Sequence, residues 1–323
     1  MCTAFTFKSQ DHYFGRNLDL EYTLGQQIVV TPRNYKFDFK MLPGLKSHYA
    51  IIGVAKIDRN YPLYFDATNE AGLSVAGLNF PHNAVYFKMK NNTNNIAPFE
   101  IIPYLLGCFK NVSEVEKFFK NANIADIAYS SDYPLTPLHW IIADKDRAIT
   151  LESTMNGIRI YENPVGVLTN NPEFDLQLFN LNNFANISKT NPVQTFSEGL
   201  SYNPYSNGLG GLGLPGDFSS MSRFVRAVFA KLSSDNKTSE IETVGQFFHI
   251  LSYVEQISGC VKTDKGDEYT VYSSCCNTDK GIYYYSTYQN RRICAINMYK
   301  ENLDSDCLIS YDLIEKQMIF YQN

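Results

Sequence analysis

The chain begins Met1-Cys2, and Cys2 is the residue best placed to act as a nucleophile. Removal of Met1 would leave Cys2 with both a thiol and a free α-amino group. A thiol attacks as the thiolate, and its ordinary pKa is about 8.5. An α-amine has an ordinary pKa of about 8, so near neutral pH an appreciable fraction of it is an unprotonated base. One residue would then hold a nucleophile and its base in fixed geometry. The alternative is that Met1-Cys2 is an accident of where translation starts.

The segment 14–19 (FGRNLD) carries two charged side chains that could serve Cys2 if the two segments form a hairpin. Arg16 beside a thiol favours the thiolate. Asp19 can accept a hydrogen bond from the α-amine and fix its orientation. Positions 16 and 19 face opposite sides of a regular strand, so both reach Cys2 only if the strand bends, bulges or ends between them. Taken alone, the two residues also fit a surface ion pair.

Two asparagines and one arginine are further candidates for acyl-transfer chemistry. Asn79 and Asn170 each end an apolar strand just before a proline, and their amides could donate to a developing oxyanion. Asparagine is also a common turn residue, so each position has a plain structural explanation. Arg223 lies in the first turn of a predicted helix, where its charge opposes the helix dipole. We therefore expect Arg223 to serve packing, an ion pair or a site.

Other classes of chemistry find little support in the sequence. Residues 208–213 (GLGGLG) match the GxGxxG pattern, but a loop precedes them and Pro215 follows, whereas a dinucleotide site needs a strand before the glycines and a helix directly after. The histidines show no metal-binding spacing, and His139 beside Trp140 reads as a core residue. No GxSxG motif is present. We expect no metal and no cofactor.

Composition narrows the class of protein. The 323 residues carry a formal net charge of −5 without any basic run, so nucleic acid is not an expected partner. The first residues lack the pattern of a signal peptide, and no stretch approaches the roughly 20 apolar residues of a membrane helix. The seven cysteines are an odd number without a CxxC pair, which predicts free thiols in a reducing cytoplasm.

These candidate residues must be positioned by a mixture of strands and a few helices. Alternating or apolar runs predict strands at 2–7, 12–20, 73–78, 139–143, 149–152, 157–161, 165–168, 269–275, 281–288, 293–299 and 318–321. Helices are predicted after a capping box at Ser113, after Thr243, and over 221–232 with Ser219 or Ser220 as N-cap. Strands, then helices, then strands indicate a layered α+β fold with mostly antiparallel sheets. The loop 188–213 is too long for a simple connection and is expected to serve assembly or function.

Several motifs, in order along essentially the whole chain, closely resemble the choloylglycine hydrolases, the family of bile salt hydrolases and penicillin V acylases. They are MCT at the start, FGRNLDLEY (14–22), NEAGLSVAGLNFP (69–81), LTNNPEFD (168–175), LPGDFSSMSRF (214–224) and GIYYYSTY (281–288). This family belongs to the N-terminal nucleophile hydrolases. The resemblance implies one domain, residues 2–323, with a four-layer αββα fold and Met1 removed.

The resemblance also implies roles for the candidate residues. Cys2 is the nucleophile and its α-amine the base, and Arg16 and Asp19 contact the nucleophile. Asn79 and Asn170 belong to the oxyanion and substrate-amide contacts. Arg223 holds the environment of the thiolate. The family is commonly a cytoplasmic homotetramer assembled through a loop like 188–213.

The expected function is therefore hydrolysis of the amide that joins a bile acid to glycine or taurine. Asn79 favours a bile salt hydrolase, since some penicillin V acylases have tyrosine there, and residues 211–213 (GLG) resemble a loop associated with glycine conjugates. The alternatives are the same chemistry on penicillin V or an N-acyl homoserine lactone, and a non-catalytic relative that binds amphiphiles. Candidates for an apolar substrate pocket are Leu18, Tyr22, Leu24, Ile57, Phe65 and Leu135.

Overall fold

The structure, a computed structural model, describes all residues from Met1 to Asn323. The strands are, in chain order, β1 (Cys2–Lys8), β2 (His12–Leu20), β3 (Gln27–Thr31), β4 (Ile51–Asp58), β5 (Tyr61–Asn69), β6 (Ser74–Asn79), β7 (Asn94–Ile96), β8 (Ala122–Ile124), β9 (Leu138–Ala143), β10 (Ala148–Thr154), β11 (Gly157–Glu162), β12 (Val167–Leu168), β13 (Val261–Thr263), β14 (Gly266–Asn277), β15 (Ile282–Thr287), β16 (Cys294–Asn297) and β17 (Ile309–Asp312).

The α-helices are fewer and shorter. They are α1 (Ile101–Cys108), α2 (Val112–Phe119), α3 (Phe174–Asn180), α4 (Ser220–Ser233) and α5 (Glu240–Ser252). Short 3-10 turns occur at Pro98–Glu100, Leu181–Phe184, Leu209–Gly211 and Met298–Lys300. The longest helix, α4, has 14 residues, and none of the helices has both the length and the hydrophobicity that spanning a bilayer requires.

The strands form two large antiparallel sheets. The first sheet has the order β12-β1-β2-β14-β15-β16, and β13 pairs with β14 at its edge. The second has the order β11-β10-β9-β6-β5-β4-β3-β17. A small separate pair, β7 and β8, is parallel. Strands β1 and β2 form a hairpin that lies inside the first sheet. It is flanked by β12 on one side and β14 on the other, and both come from distant parts of the chain.

The sheets and helices stack in four layers. The helices α4 and α5 cover the outer face of the first sheet, where the ring of Phe247 stacks on Phe5 of β1 with 4.1 Å between centroids. The helix α1 covers the second sheet and buries Ile101 and Leu105 against it. Between the sheets lies a core that includes Ala4 and Leu78. This architecture confirms the predicted α+β fold with four αββα layers.

Some predicted boundaries are wrong. The N-cap of α2 is Asn111, whose side chain accepts from the backbone N–H of Glu114, two residues before the predicted cap at Ser113. The N-cap of α5 is Ser239 and not Thr243. Ser219 caps α4 as predicted, by accepting from the backbone N–H of Ser222. In each case the cap is the residue whose side-chain oxygen reaches the free N–H groups of the first turn.

The predicted strand at 318–321 is also wrong. These residues are exposed and follow β17, the edge strand that closes the second sheet against β3. An apolar sequence forms a strand only where a neighbouring strand supplies hydrogen bonds, and this segment has no such neighbour.

Candidate active site

The first hairpin decides which side chains accompany Cys2. Strands β1 and β2 pair in a register that sets Cys2 opposite Leu18 and Ala4 opposite Arg16. Directly opposed residues place their side chains on one face of a sheet, so Cys2 and Arg16 both face the second sheet. Thr3 and Asn17, one position along, face the helices. The hairpin predicted from the sequence is confirmed.

The backbone nitrogen of Cys2 is held by Asn170. It donates to Asn170 Oδ1 over 2.8 Å, and Cys2 is 3% exposed. Because Met1 is attached in this structure, the nitrogen is a peptide N–H that stands in for the α-amine of a chain without Met1. Asn170 follows the short strand β12, which pairs with β1 and so places it beside the start of β1.

Arg223 forms hydrogen bonds with Cys2, Thr3 and Asn170 from the face of the first sheet that the helices cover. Its Nη1 donates to the carbonyl oxygen of Cys2 over 2.5 Å and to Thr3 Oγ1 over 2.6 Å, and its Nη2 donates to Asn170 Oδ1 over 2.8 Å. Burial lowers the pKa of the fully buried guanidinium, while the charges of Asp19 and Cys2 oppose that shift. A cation in the first turn of α4 is therefore stabilised by the site and not by the helix dipole.

The side chain of Asn170 also ties the second sheet to the site. Its Nδ2 donates to the carbonyl oxygen of Asn79, at the end of β6, over 2.7 Å. Its backbone N–H donates to Ser220 Oγ over 2.8 Å. The amide of Asn170 thus joins β1, β6 and α4, and one of its two amide hydrogens is used in doing so. The structure thus places Asn170 on the Cys2 nitrogen, and Asn79 is joined to Asn170 through its backbone carbonyl.

Arg16 lies between the two sheets. Its Nη1 donates to the carbonyl oxygens of Phe65, over 3.0 Å, and of Gly77, over 2.6 Å, while its Nη2 is buried without a hydrogen bond. Burial would lower the pKa of Arg16, but nearby acidic groups, Cys2 first among them, raise it. The guanidinium is therefore a fixed cation on the face of the sheet that Cys2 shares.

Asp66 is an acidic neighbour of Arg16 that sequence reasoning missed. Its carboxylate accepts from Tyr272 over 2.5 Å, from Ser274 over 3.3 Å and from Tyr283. Burial raises its pKa, and the charge of Arg16 opposes that shift. The signal was available in the sequence, because Asp66 is a carboxylate inside a strand whose neighbours are apolar or aromatic, and such a residue is buried only with partners.

Asp19 lies on the other face of β2, as its spacing from Arg16 requires. Its Oδ1 accepts from Thr270 Oγ1 over 2.6 Å, and its Oδ2 is 4.0 Å from Nη1 of Arg223. The register between β2 and β14 shifts between Thr270 and Tyr272, next to Asp19. Strand β2 itself need not bend, because Arg16 shares the face of the Cys2 side chain while Asp19 acts on Arg223 and on the amino end of the chain.

The Met1 ammonium is bound at this same point. It donates to the carbonyl oxygen of Asp19 over 2.9 Å and forms an ion pair with Glu268 of β14. Burial lowers the pKa of this amine below its usual value near 8, with the charges of Cys2 and Asp19 opposing the shift. The Met1 nitrogen is thus held in a buried polar site formed by β2 and β14.

Comparison with known proteins agrees with this geometry. Residues 2–311 match the model of a protein family described as linear amide C–N hydrolases, choloylglycine hydrolase family. The chain belongs to this family. It is 51% identical over 324 residues, covering 100% of both chains, to the "Bile salt hydrolase/transferase" of Lactiplantibacillus plantarum.

Two solved structures are similar in fold to this choloylglycine hydrolase. The C2A mutant of the conjugated bile acid hydrolase from Clostridium perfringens superposes with a TM-score of 0.92 and 37% identity, covering 100% of both chains. The penicillin V acylase from Agrobacterium tumefaciens gives a TM-score of 0.77 at 20% identity, covering 96% of this chain and 91% of its own. The second match shows a shared fold only.

The predicted pocket residues of this choloylglycine hydrolase fall into three places. Leu18 is buried opposite Cys2, and the backbone carbonyl of Phe65 contacts Arg16, so Leu18 and the backbone of Phe65 lie at the site. Ile57 packs into the core under α1, on the other side of the second sheet from Cys2. Tyr22 and Leu135 are exposed, and Leu24 is partly buried, in segments outside the strands.

The six cysteines other than Cys2 lie outside the site, and none of them forms a disulfide. All seven cysteines are free. Burial raises the pKa of Cys276 to about 12 and that of Cys108 to about 11, so neither is a thiolate at neutral pH. The GLGGLG segment forms a short turn, and α4 begins only at Ser220, as expected for a loop that binds no dinucleotide.

His139 is a core residue, as predicted, but it also supports both asparagines of the hydrolase. Its Nδ1 contacts Glu152 Oε1 at 3.0 Å and its Nε2 contacts the carbonyl oxygen of Thr169, the residue before Asn170, at 2.9 Å. The ring is therefore held between a carboxylate and a backbone carbonyl, both fully buried. The ring also stacks on Phe80, the residue after Asn79, with 4.2 Å between centroids.

Replacing His139 by phenylalanine should destabilise the protein. The substitution keeps the ring against Phe80 but leaves the fully buried Glu152 carboxyl group without its His139 partner. We expect a loss of about 3 to 5 kcal/mol in the free energy of unfolding, measured by urea titration. The double variant His139→Phe/Glu152→Leu is the control and should recover part of the loss. A single variant as stable as the natural protein would show that the contact between His139 and Glu152 has no such role.

Proposed function

We propose that this chain, after losing Met1, hydrolyses the amide bond that joins a bile acid to glycine or taurine. The observation that carries the proposal is the full-length relation to a bile salt hydrolase/transferase, at 51% identity, together with a Cys2 nitrogen anchored by Asn170. The family is described as linear amide C–N hydrolases, and removal of Met1 would leave the Cys2 thiol and α-amine beside the Asn170 amide.

In the first half of the reaction, the thiol proton moves to the α-amine and the Cys2 thiolate attacks the amide carbonyl carbon. The oxyanion that forms is stabilised by amide hydrogens of Asn79 and Asn170. The C–N bond then breaks, and the α-ammonium returns its proton to the departing glycine or taurine nitrogen. The product is a thioester between the bile acid and Cys2. The α-amine belongs to the same residue as the thiol and is held by Asn170, so it is positioned to act as the base.

In the second half, water attacks the thioester and the α-amine takes its proton. The C–S bond breaks, and the bile acid leaves while the thiolate is restored. Arg16 provides a fixed positive charge on the thiol side. Arg223 and Asn170 hold the backbone of Cys2, and Asp19 balances the charge of Arg223. These charges are buried and cost no reorganisation during the reaction.

The steroid would lie against apolar side chains next to Cys2. Leu18 and Phe65 have the position for this contact, and Tyr22, Leu24 and Leu135 could line the approach from the surface. Ile57 is not part of this surface, because it packs on the other side of the second sheet. The mostly apolar surface with a few fixed polar groups is the usual character of a small-molecule site.

We further propose a cytoplasmic homotetramer. Seven free thiols, including the adjacent buried Cys275 and Cys276, support a reducing compartment. The loop 188–213 exposes apolar side chains that a second copy would cover, namely Val193, Phe196, Tyr205 and Leu212. Sedimentation of the protein as a single chain would contradict the assembly, and its recovery outside the cytoplasmic fraction would contradict the location.

The activity is tested by offering amides side by side. With choloylglycine or its taurine analogue, we expect release of glycine or taurine, measured by reaction of the freed amino group. Penicillin V and an N-acyl homoserine lactone, assayed for release of their amines, should be cleaved far more slowly. Cleavage of penicillin V with no action on any bile salt would overturn the proposal. Binding of bile salts without cleavage of any amide would instead indicate an amphiphile-binding protein.

A further inference from the structure

Glu268 is a buried carboxylate next to the amino end of the chain that the reaction described above does not use. It lies on β14 and is 3% exposed. Its Oε1 accepts no hydrogen bond, and its ion partner is the Met1 ammonium. The same ammonium donates to the carbonyl oxygen of Asp19. Glu268 and the Asp19 carbonyl thus define one small polar place, which the Met1 nitrogen fills.

The covalent geometry of the chain fixes how far this place is from the proposed base. The Met1 nitrogen and the Cys2 nitrogen are separated by three backbone bonds, so they are at most about 3.7 Å apart. An atom that takes the position of the Met1 nitrogen is therefore within or close to hydrogen-bonding distance of the Cys2 nitrogen. Once Met1 is removed, that nitrogen is the α-amine.

Removal of Met1 changes what this place can hold. The buried Glu268 carboxylate loses its cation, and a buried charge without a partner is costly. A water at the position of the Met1 nitrogen would meet three polar groups, the α-amine of Cys2, the carbonyl oxygen of Asp19 and the carboxylate of Glu268. The carbonyl, the carboxylate and an unprotonated amine are all acceptors, and a water has only two hydrogens to donate. In the reactive arrangement the water donates them to Glu268 and to the α-amine, so the lone pairs of its oxygen stay free to attack.

We propose that this place holds the water that cleaves the thioester and that Glu268 orients it. The inference rests on the proposed function. The water donates one hydrogen to Glu268 and transfers the other, as a proton, to the α-amine while its oxygen bonds to the thioester carbonyl carbon. The C–S bond then breaks, the bile acid leaves, and the α-ammonium returns the proton to the Cys2 thiolate. Glu268 keeps its charge throughout and is regenerated with the site.

Formation of the thioester does not require Glu268, because no water has to be oriented in that step. The leaving nitrogen belongs to the substrate and is positioned by the rest of the substrate. Loss of Glu268 should therefore slow hydrolysis of the thioester more than its formation. This difference separates an orienting role from general damage to the fold, which would slow both steps.

The test uses the full chain carrying a removable leader that a protease cuts directly before Cys2, so that no variant depends on natural removal of Met1. Glu268→Gln keeps the size of the side chain and removes its charge. Asp267→Asn is the matched control, since it makes the same change of charge at the neighbouring, exposed position of β14. Each protein is mixed with choloylglycine, quenched at short times and analysed by intact mass for the cholyl adduct on Cys2.

We expect Glu268→Gln to form the adduct within about twofold of the natural rate and to hydrolyse it about tenfold more slowly or worse, so that the adduct accumulates. Asp267→Asn should behave as the natural chain does. Unchanged hydrolysis of the adduct in Glu268→Gln would overturn the inference, as would equal slowing of both steps. If Glu268→Gln does not fold, Glu268→Asp, which moves the carboxylate by one methylene, should show the same selective slowing, and its absence there would overturn the inference.

Failure of the proposed function would give a different result from failure of the proposed role of Glu268. The natural chain, cut before Cys2, would then form no cholyl adduct and release no glycine, which would overturn both proposals together. Adduct formation with normal turnover in the natural chain, and no selective effect in Glu268→Gln or Glu268→Asp, would leave the proposed function intact and remove only the role of Glu268.

Discussion

Cys2→Ala is expected to abolish amide hydrolysis, reducing the turnover of choloylglycine by roughly 10⁴-fold or more. The methyl group cannot form the thioester, while Asn170 and Arg223 still hold the backbone of residue 2. Binding of the substrate should therefore survive, and titration calorimetry with choloylglycine measures it separately from turnover. The variant is compared with the natural chain after the mass of each has confirmed that Met1 is absent.

The matched control for this loss is Cys260→Ala, which removes an exposed thiol outside the site. It should keep full activity. Substantial hydrolysis by Cys2→Ala would place the nucleophile elsewhere, and a comparable loss in Cys260→Ala would mean that the assay reports thiol chemistry unrelated to Cys2. Cys108 and Cys276 are poor candidates for a second nucleophile because burial raises the pKa of both.

A chain that carries one extra glycine before Cys2 should lose most of its activity while keeping its thiol. Such a chain is made with a leader cut one residue earlier, so that the nitrogen of Cys2 is a peptide N–H and cannot accept a proton. Removing a positioned general base costs about 10²- to 10⁴-fold in rate, and we expect a loss of turnover in that range. Alkylation of Cys2 by iodoacetamide, followed by mass, should continue.

The control is the same leader cut directly before Cys2, which should be fully active. In the structure the Cys2 nitrogen donates to Asn170 with Met1 attached, so a preceding residue fits the site without disturbing its hydrogen bonds. Loss of activity would therefore be assigned to chemistry and not to misfolding. Full activity of the chain with the extra glycine would show that the base is another group, and the proposed mechanism would have to be abandoned.

Local sequence was sufficient for the elements that carry their own pattern. The hairpin of β1 and β2 followed from alternation around a polar turn, and α4 followed from Ser219 and the apolar positions after it. The caps of α2 and α5 were misplaced because several polar residues compete near each start, and only the geometry decides between them. Helix α1 was not predicted, since Ile101–Cys108 is apolar on nearly all sides and lacks the period of a surface helix.

The same is true of the functional site, where some residues were predicted from the sequence and others were not. Six site residues were predicted from the sequence, by chemistry and by resemblance. The structure places them around the start of β1, with Asn79 joined through its backbone carbonyl; they are Cys2, Arg16, Asp19, Asn79, Asn170 and Arg223. Asp66, His139 and Glu268 could not be assigned a role from the sequence. Each acts through residues of other strands or loops, and the pattern of its own segment does not name those partners.

The available chemistry follows from residues 1 and 2, because a terminal cysteine would carry both a nucleophile and a base once Met1 is removed. The support for that chemistry depends on contacts between distant segments. The pairing of β1 with both β2 and β12 places Asn170 on the Cys2 nitrogen, and the docking of α4 adds Arg223. These contacts depend on strand register and layer packing, which are set by the whole core and not by any one segment. The hydrogen bonds with Asn170 and Arg223 fix the position of the reactive Cys2.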